Sequence, residues 1–286
     1  MIYWDPKPDL FTIPYLNWPI LWYGVLFAGG FVLGFPLYVS LLTRYLMHRH
    51  VDSARKKALM LTDRLTVYMV VATIVGARLG HFLFYEKPAT YWRDPWELFR
   101  IWEGGLASHG AIVAIPLALM LFSYRIRGQV PGLTWLRLLD IAVVPAALIA
   151  FFIRVGNFFN QEILGVPTDL PWGVVFGHPA DHSLPIPRHP VQLYEALFYL
   201  GVFSLLWALS RSSRWLCTLG RLSGLFLLCV FGFRFCIEFL KMEQSHLIMA
   251  THFPLTMGQI LSLPALGLGA VFFLWNRLFK SSILKK

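Results

Sequence analysis

The stretch LDIAVVPAALIAFFIRVGNFFN, residues 139–160, decides the fold class. From Ile141 to Ile153 it contains no polar side chain, and it then ends on Arg154, Asn157 and Asn160. A bilayer's hydrocarbon core of roughly 30 Å requires about 20 mostly apolar residues per helix. Read outward in windows of that size, the chain offers six more such runs, giving predicted spans at 20–43, 65–85, 108–124, 139–160, 191–209, 219–240 and 255–275. The third is short, and the fourth is polar at its C-terminal end.

Composition agrees. Of 286 residues, 57% are hydrophobic and 14% charged, with mean hydropathy +0.60. A soluble domain is about a quarter charged and under half apolar, and a core of this size has no room for so much apolar surface. The 24 Phe, 11 Trp and 11 Tyr exclude disorder. The three cysteines, Cys217, Cys229 and Cys236, give neither a disulfide framework nor zinc-ligand spacing and read as packing residues. Residues 1–19 lack a basic n-region, so no cleavable signal is expected. There is no internal repeat. The +10 net charge comes from Lys and Arg scattered between apolar runs, which sets membrane orientation rather than nucleic-acid binding.

Sixteen basic residues fall in segments 44–64, 125–137, 211–221 and 277–286, against six (Lys7, Lys87, Arg93, Arg100, Arg188, Lys241) on the other side. The bias predicts an outside N-terminus and a cytoplasmic C-terminus. The aromatic clusters Trp18/Trp22/Tyr23 and Tyr91/Trp92/Trp96/Trp102 then lie at the outer interface. The expected class is an all-α integral membrane protein with seven transmembrane helices.

Three arginines remain inside spans, at roughly 2.5–3.5 kcal/mol each on insertion scales. Arg78 lies about 10 Å and Arg234 about 9 Å below the outer helix ends, from the 1.5 Å rise per residue. Arg154, Asn157, Asn160 and Glu162 end the fourth span, His109 opens the third, Gln192, Tyr194 and Glu195 start the fifth, and Gln259 begins the seventh. Each has a plain structural reading: Arg234 and Glu238 as an i,i+4 pair, Arg78 snorkelling, Asn157 and Asn160 as interhelical glue. Their convergence on one layer points instead to a phosphate-bearing lipid headgroup, the ligand that arginine's fork of donors suits. A neutral histidine there is able to accept a nucleophile's proton. A transporter for an anionic solute and a non-catalytic lipid-binding subunit are the rival classes. The outward layer and the lack of repeats argue against the first. The second needs neither His109 nor an outer Pro/Gly-rich segment.

The segment Arg154-Val-Gly-Asn157-Phe-Phe-Asn160-Gln-Glu162-Ile-Leu-Gly165 resembles the signature of the bacterial prolipoprotein diacylglyceryl transferases. So, in order, do Trp22-Tyr23-Gly24, Gly76-Ala-Arg78, Gly104-Gly-Leu-Ala-Ser-His109-Gly110, Arg188-His-Pro-Val-Gln192-Leu-Tyr194-Glu195, Phe233-Arg234 with Glu238-Phe239, and Leu255-Thr-Met-Gly-Gln259-Ile-Leu-Ser262. The resemblance spans essentially the whole chain. It implies transfer of an sn-1,2-diacylglyceryl group from phosphatidylglycerol to the lipobox cysteine of a prolipoprotein, with glycerol phosphate leaving. The location it implies is the bacterial cytoplasmic (inner) membrane, with the active site toward the outer leaflet. By motif, Arg154 binds the lipid phosphate, Arg234 holds the headgroup and leaving phosphate, Glu238 orients it, and His109 deprotonates the thiol. Tyr23, Asn157, Asn160, Glu162, Gly165 and Arg78 shape the lipid site. Asp140 supports the fourth helix, and Gln192 and Gln259 are structural. No cofactor or metal is required, and no nucleic-acid partner is expected. Residues 161–190, rich in Pro and Gly, are expected to form a small extracytoplasmic cap between the fourth and fifth spans. Ile153 and Ala111 stand where the family usually carries Gly, and Lys241 where Arg is more usual.

Overall fold

The structure is a computed structural model that describes residues 1–15, 17–85, 96, 98, 100, 108–242 and 254–283. Its long helices are α1 (Trp22–His48), α2 (Ala54–Tyr85), α3 (Ser108–Ile126), α4 (Trp135–Phe159), α5 (Val191–Ser210), α7 (Arg221–Ile237) and α8 (Met257–Ile283), with a single-turn α6 (Ser213–Leu216). Six have the length and apolarity to cross a membrane, and α3 is a shorter apolar helix over Gly110–Ile126. At most 44% of any spanning window is buried. The outward faces are apolar: Val67 is 60%, Val113 63% and Leu83 75% exposed. Backbone groups satisfied within helices, beneath apolar exposed side chains, are what a hydrocarbon solvent demands. The chain is a multi-pass membrane protein.

Two differences from the sequence expectation concern local structure. Helix α2 begins at Ala54, eleven residues before the expected span, so the basic segment preceding it is helical too. The fold is also not purely helical. Strands β1 (Ile2–Trp4), β4 (Val174–Phe176) and β5 (Pro187–Arg188) form one sheet, and β2 (Asp9–Ile13) pairs with β3 (Trp18–Leu21) in another. Strand β1 runs parallel to β4, Ile2 opposite Val174, so residues 161–190 draw on the N-terminus to complete their sheet. Strands of two to five residues are too short to display period-two alternation.

The chain divides into two compact units, residues 1–41 with 140–286, and residues 42–139. In the first, Phe158, Leu164, Val174 and Phe176 form a buried cluster against Trp4 and Leu193. The Trp4 ring nitrogen donates to the Phe158 carbonyl at 3.1 Å. Helices α7 and α8 meet at glycines: a Cβ on Gly224 would lie 2.7 Å from the Gly269 carbonyl. Small residues of this kind let apolar helices approach where no hydrophobic drive separates helix from lipid.

The start of α7 is held from α4. Asp140, fully buried, accepts from Gly220 N at 2.7 Å, Ser223 N at 2.9 Å and Ser223 Oγ at 2.8 Å. Gly220 has φ +76, and a Cβ there would sit 2.6 Å from the Phe272 carbonyl, so glycine is required twice over. At α8, Thr256 and Gln259 form a capping box. Gln259 N donates to Thr256 Oγ1 at 3.2 Å, and Thr256 N to Gln259 Oε1 at 3.0 Å.

In the second unit, Leu42, Leu46, Leu61, Leu119, Phe122 and Leu138 are buried. Helices α2 and α3 touch at glycines, a Cβ on Gly110 meeting Gly80 Cα at 2.8 Å.

Candidate functional site

The end of α4 sets the geometry. Gln161 N donates to the Phe158 carbonyl at 3.2 Å and Glu162 N to the Asn157 carbonyl at 3.1 Å, the paired bonds of a Schellman motif. Gln161 occupies its left-handed position at φ 51, where glycine is usual. A left-handed L-residue costs roughly 1–2 kcal/mol, and the side chain explains the choice. Gln161 Nε2 donates to Asp5 Oδ1 at 3.1 Å, and its Oε1 accepts from His178 N at 2.8 Å. One glutamine therefore ends the helix and ties β1's flank to the segment beyond it.

The same turn folds Glu162 back over the helix end. Its Oε1 accepts from Asn157 Nδ2 at 2.8 Å and Asn160 Nδ2 at 3.2 Å, while Asn157 Oδ1 accepts from Arg154 NH1 at 3.1 Å. Gln192 Nε2, from the first turn of α5, donates to the Glu162 carbonyl at 2.7 Å. Tyr23 feels the charges of both Glu162 and Arg154. Its ring lies over Gly156, where an added Cβ would stand 2.7 Å from Tyr23 Cδ2. The sequence-predicted set Tyr23, Arg154, Asn157, Asn160 and Glu162 is thus one hydrogen-bonded and electrostatic group.

A second set joins it. Glu195, fully buried on α5, places Oε2 3.1 Å from Arg154 Nε. Its Oε1 accepts from Lys241 Nζ at 3.0 Å and from Tyr199 OH at 3.3 Å. Lys241 Nζ also lies 3.3 Å from Glu238 Oε2. The Arg154–Glu195 contact is an ion pair without hydrogen-bond alignment, leaving Oε2 a buried acceptor.

The i,i+4 ion pair that is the plain structural reading of Arg234 and Glu238 is absent among the described residues. Helix α7 ends at Ile237 and continues as a 3-10 turn over Glu238–Leu240. Residues three apart eclipse in a 3-10 turn, so Glu238 faces Lys241. A Cβ on Gly258 would collide with the Glu238 carboxylate, which therefore packs directly on the start of α8. Arg234, half-buried, acts electrostatically on Tyr199. Among the described residues it has no hydrogen bond and no ion pair.

Gly165 is a crossing point of backbones. It bridges to Lys241, flanked by Val166 N to the Leu240 carbonyl at 2.9 Å and Met242 N to the Leu164 carbonyl at 3.1 Å. A Cβ there would overlap the His189 carbonyl. Asp140 holds the start of α7, and Gln259 forms the cap of α8. Arg78, in the other unit, is buried, donates to the Leu98 carbonyl at 3.1 Å and lies over Phe82. His109 is the second residue of α3; its side chain, with residues 86–95 and 101–107 that carry most of the second aromatic cluster and the Gly104 motif, lies outside the described residues.

Sequence reasoning put Glu195 in the polar layer but assigned neither it nor Lys241 a role of its own. Glu195 carried a signal, a carboxylate one turn inside an apolar run. Lys241 counted only among the outer basic residues and as a position where Arg is more usual, yet its side chain is 7% exposed.

Chemically, the group offers the guanidinium of Arg154, ion-paired at Nε with Glu195 and hydrogen-bonded from NH1 to Asn157. It also offers Arg234, whose charge has no carboxylate partner among the described residues. Among the described residues Arg154 and Lys241 each lie within 4 Å of a carboxylate and Arg234 does not, so Arg234 is the cation best able to receive an anion.

The comparisons with known proteins agree with one another. A family model described as prolipoprotein diacylglyceryl transferase matches residues 8–275. A protein of Tolumonas auensis is 41% identical over 274 residues, covering 96% of this chain and 97% of its own. One of Chlamydia caviae is 38% identical over 288 residues, covering 96% and 94%. One of Protochlamydia amoebophila is 32% identical over 359 aligned residues, covering 96% and 95%. All three are named phosphatidylglycerol–prolipoprotein diacylglyceryl transferase.

Proposed function

The chain belongs to the prolipoprotein diacylglyceryl transferase family, and from that premise we propose how its residues carry out the reaction. It is a transferase that moves the diacylglyceryl group of phosphatidylglycerol to prolipoproteins, the first step of lipoprotein maturation. In our reading the acceptor is the lipobox cysteine. Its sulfur forms a bond to the terminal glyceryl carbon of the sn-1,2-diacylglyceryl group. The carbon–oxygen bond to phosphate breaks, and glycerol phosphate departs with the electron pair. The thiol proton passes to His109, since a thiol of pKa near 8.5 is a weak nucleophile until deprotonated.

Arg234 and the remaining N–H groups of Arg154 hold the phosphate, and their stabilisation grows as charge accumulates on the leaving oxygen. Asn157, Asn160 and Glu162 keep Arg154's surroundings fixed, and Tyr23 closes one side over Gly156. Glu238 acts through Lys241. In this reading α3 is the third of seven spans, the N-terminus lies outside, as the basic-residue bias supports, and this layer sits at the outer leaflet of the bacterial inner membrane. Residues 161–190 with β1 cap it on the extracytoplasmic side, where the peptide enters.

The observation that carries the reading is Arg234, a half-buried guanidinium near Tyr199 that has no carboxylate partner among the described residues, whereas Arg154 and Lys241 each do. The test is transfer itself. Purified protein in detergent is mixed with phosphatidylglycerol and a lipobox peptide, and glycerol phosphate release and peptide mass are followed together. Thiol-dependent release with a diacylglyceryl mass gain is expected, absent with a Cys→Ser peptide and reduced at least 100-fold in Arg234→Ala. An Arg234→Ala protein that transfers at the parent rate sinks the assignment of the phosphate to this arginine.

A further inference from the structure

We propose that Glu195 is a positioning residue for the transfer, orienting Arg154 toward the lipid phosphate; this rests on the reading of the site given above. The argument begins with what the carboxylate does not need. A fully buried carboxylate is strongly unfavourable unless paired, and Lys241 Nζ at 3.0 Å with Tyr199 OH at 3.3 Å already pairs Glu195 Oε1. Yet Oε2 is directed at Arg154 Nε, 3.1 Å away, and among the described residues has no other partner.

Asn157 Oδ1 holds the same guanidinium at NH1. The hydrogen bond at NH1 and the ion pair at Nε together limit how far the planar fork can turn. The remaining N–H groups are thereby biased toward one side before an anion arrives. Lys241 completes the device. It carries the surplus charge of Glu195 and passes it to Glu238 at 3.3 Å, so Arg154, Glu195, Lys241 and Glu238 alternate in sign across α4, α5 and the turn after α7. Removing the charge of Glu195 leaves Arg154 more attractive to an anion but no longer aimed. Binding and turnover should therefore move apart, which loss of mere structural support does not cause.

The experiment is steady-state transfer with phosphatidylglycerol varied in mixed micelles, for the parent and Glu195→Gln, normalised to monodisperse protein. The expected result is a 10- to 100-fold fall in kcat, the scale of a misplaced catalytic contact, with KM for the lipid unchanged or lower. The double variant Glu195→Gln/Lys241→Met restores the charge balance without restoring aim, so its kcat stays low. If Glu195→Gln is not recovered folded, Glu195→Asp carries the test. It keeps the charge, withdraws the carboxylate by one methylene and should show the same split. A kcat within twofold of the parent, a rise in KM at constant kcat, or recovery in the double variant overturns the proposal. A parent protein that transfers nothing overturns the underlying reading instead.

Discussion

Asp140 offers the sharpest test of how the site is held, because its effect should fall on stability. Replacing it by Ala removes the acceptors for Gly220 N, Ser223 N and Ser223 Oγ, all in a fully buried setting. Each buried donor left without a partner costs about 1–3 kcal/mol. A carboxylate at a helix N-terminus adds up to about 2 kcal/mol through the helix dipole. Relief from burying a carboxylate offsets part of that sum. The net expectation is a loss of about 3–5 kcal/mol, or a fall in Tm of roughly 6–20 °C at about 2–4 °C per kcal/mol. Asp140→Asn should lose less, about 2 kcal/mol, since it keeps an oxygen for Ser223 and turns an amide donor toward Gly220. Thermal unfolding in detergent, followed by tryptophan fluorescence, measures both. Transfer per folded molecule at low temperature should remain near the parent's. An alanine variant within 1 kcal/mol of the parent would refute the argument that α4 caps α7. A stable variant that has lost turnover would place Asp140 in the chemistry.

Two further expectations follow from contacts already described. Gly156→Ala puts a methyl group 2.7 Å from Tyr23 Cδ2 and 3.4 Å from its Cα. Overpacking of this kind costs about 1–3 kcal/mol, and displacing Tyr23 should slow transfer, so unchanged melting and unchanged rate together contradict the packing of α1 on α4. Asp5 has its pKa lowered by hydrogen bonds from His178 and then Gln161. A depressed folded value contributes stability that is present above the unfolded carboxylate pKa, near 3.9, and lost as pH falls through the folded value. Between pH 5 and 3 the parent's Tm should therefore fall more than that of Asp5→Asn, whereas parallel curves would show that the contact contributes nothing.

What the sequence determined by itself was set by solvent and by local chain chemistry. Among the described residues, six helices long and apolar enough to cross a membrane and one shorter apolar helix lie where the apolar runs lie, because a run of apolar side chains in hydrocarbon must satisfy its backbone internally. The polar residues ending α4 were legible for the same reason: Arg154, Asn157 and Glu162 interrupt an apolar context in which each is unfavourable without a partner. The resemblance of ordered motifs pointed to the family. Tertiary structure decided the partners. Asp140 serves a helix some eighty residues away, which no local pattern encodes. Strand β1 completes a sheet with Val174–Phe176 across the whole of the first four helices. Glu238 turns from Arg234 to Lys241 because α7 tightens into a 3-10 turn one residue before their pairing would close. Burial of Glu195 between two cations depends on the packing of α4, α5 and the α7 turn. A carboxylate's environment is a property of everything around it, and only the folded chain brings those groups within 3–4 Å.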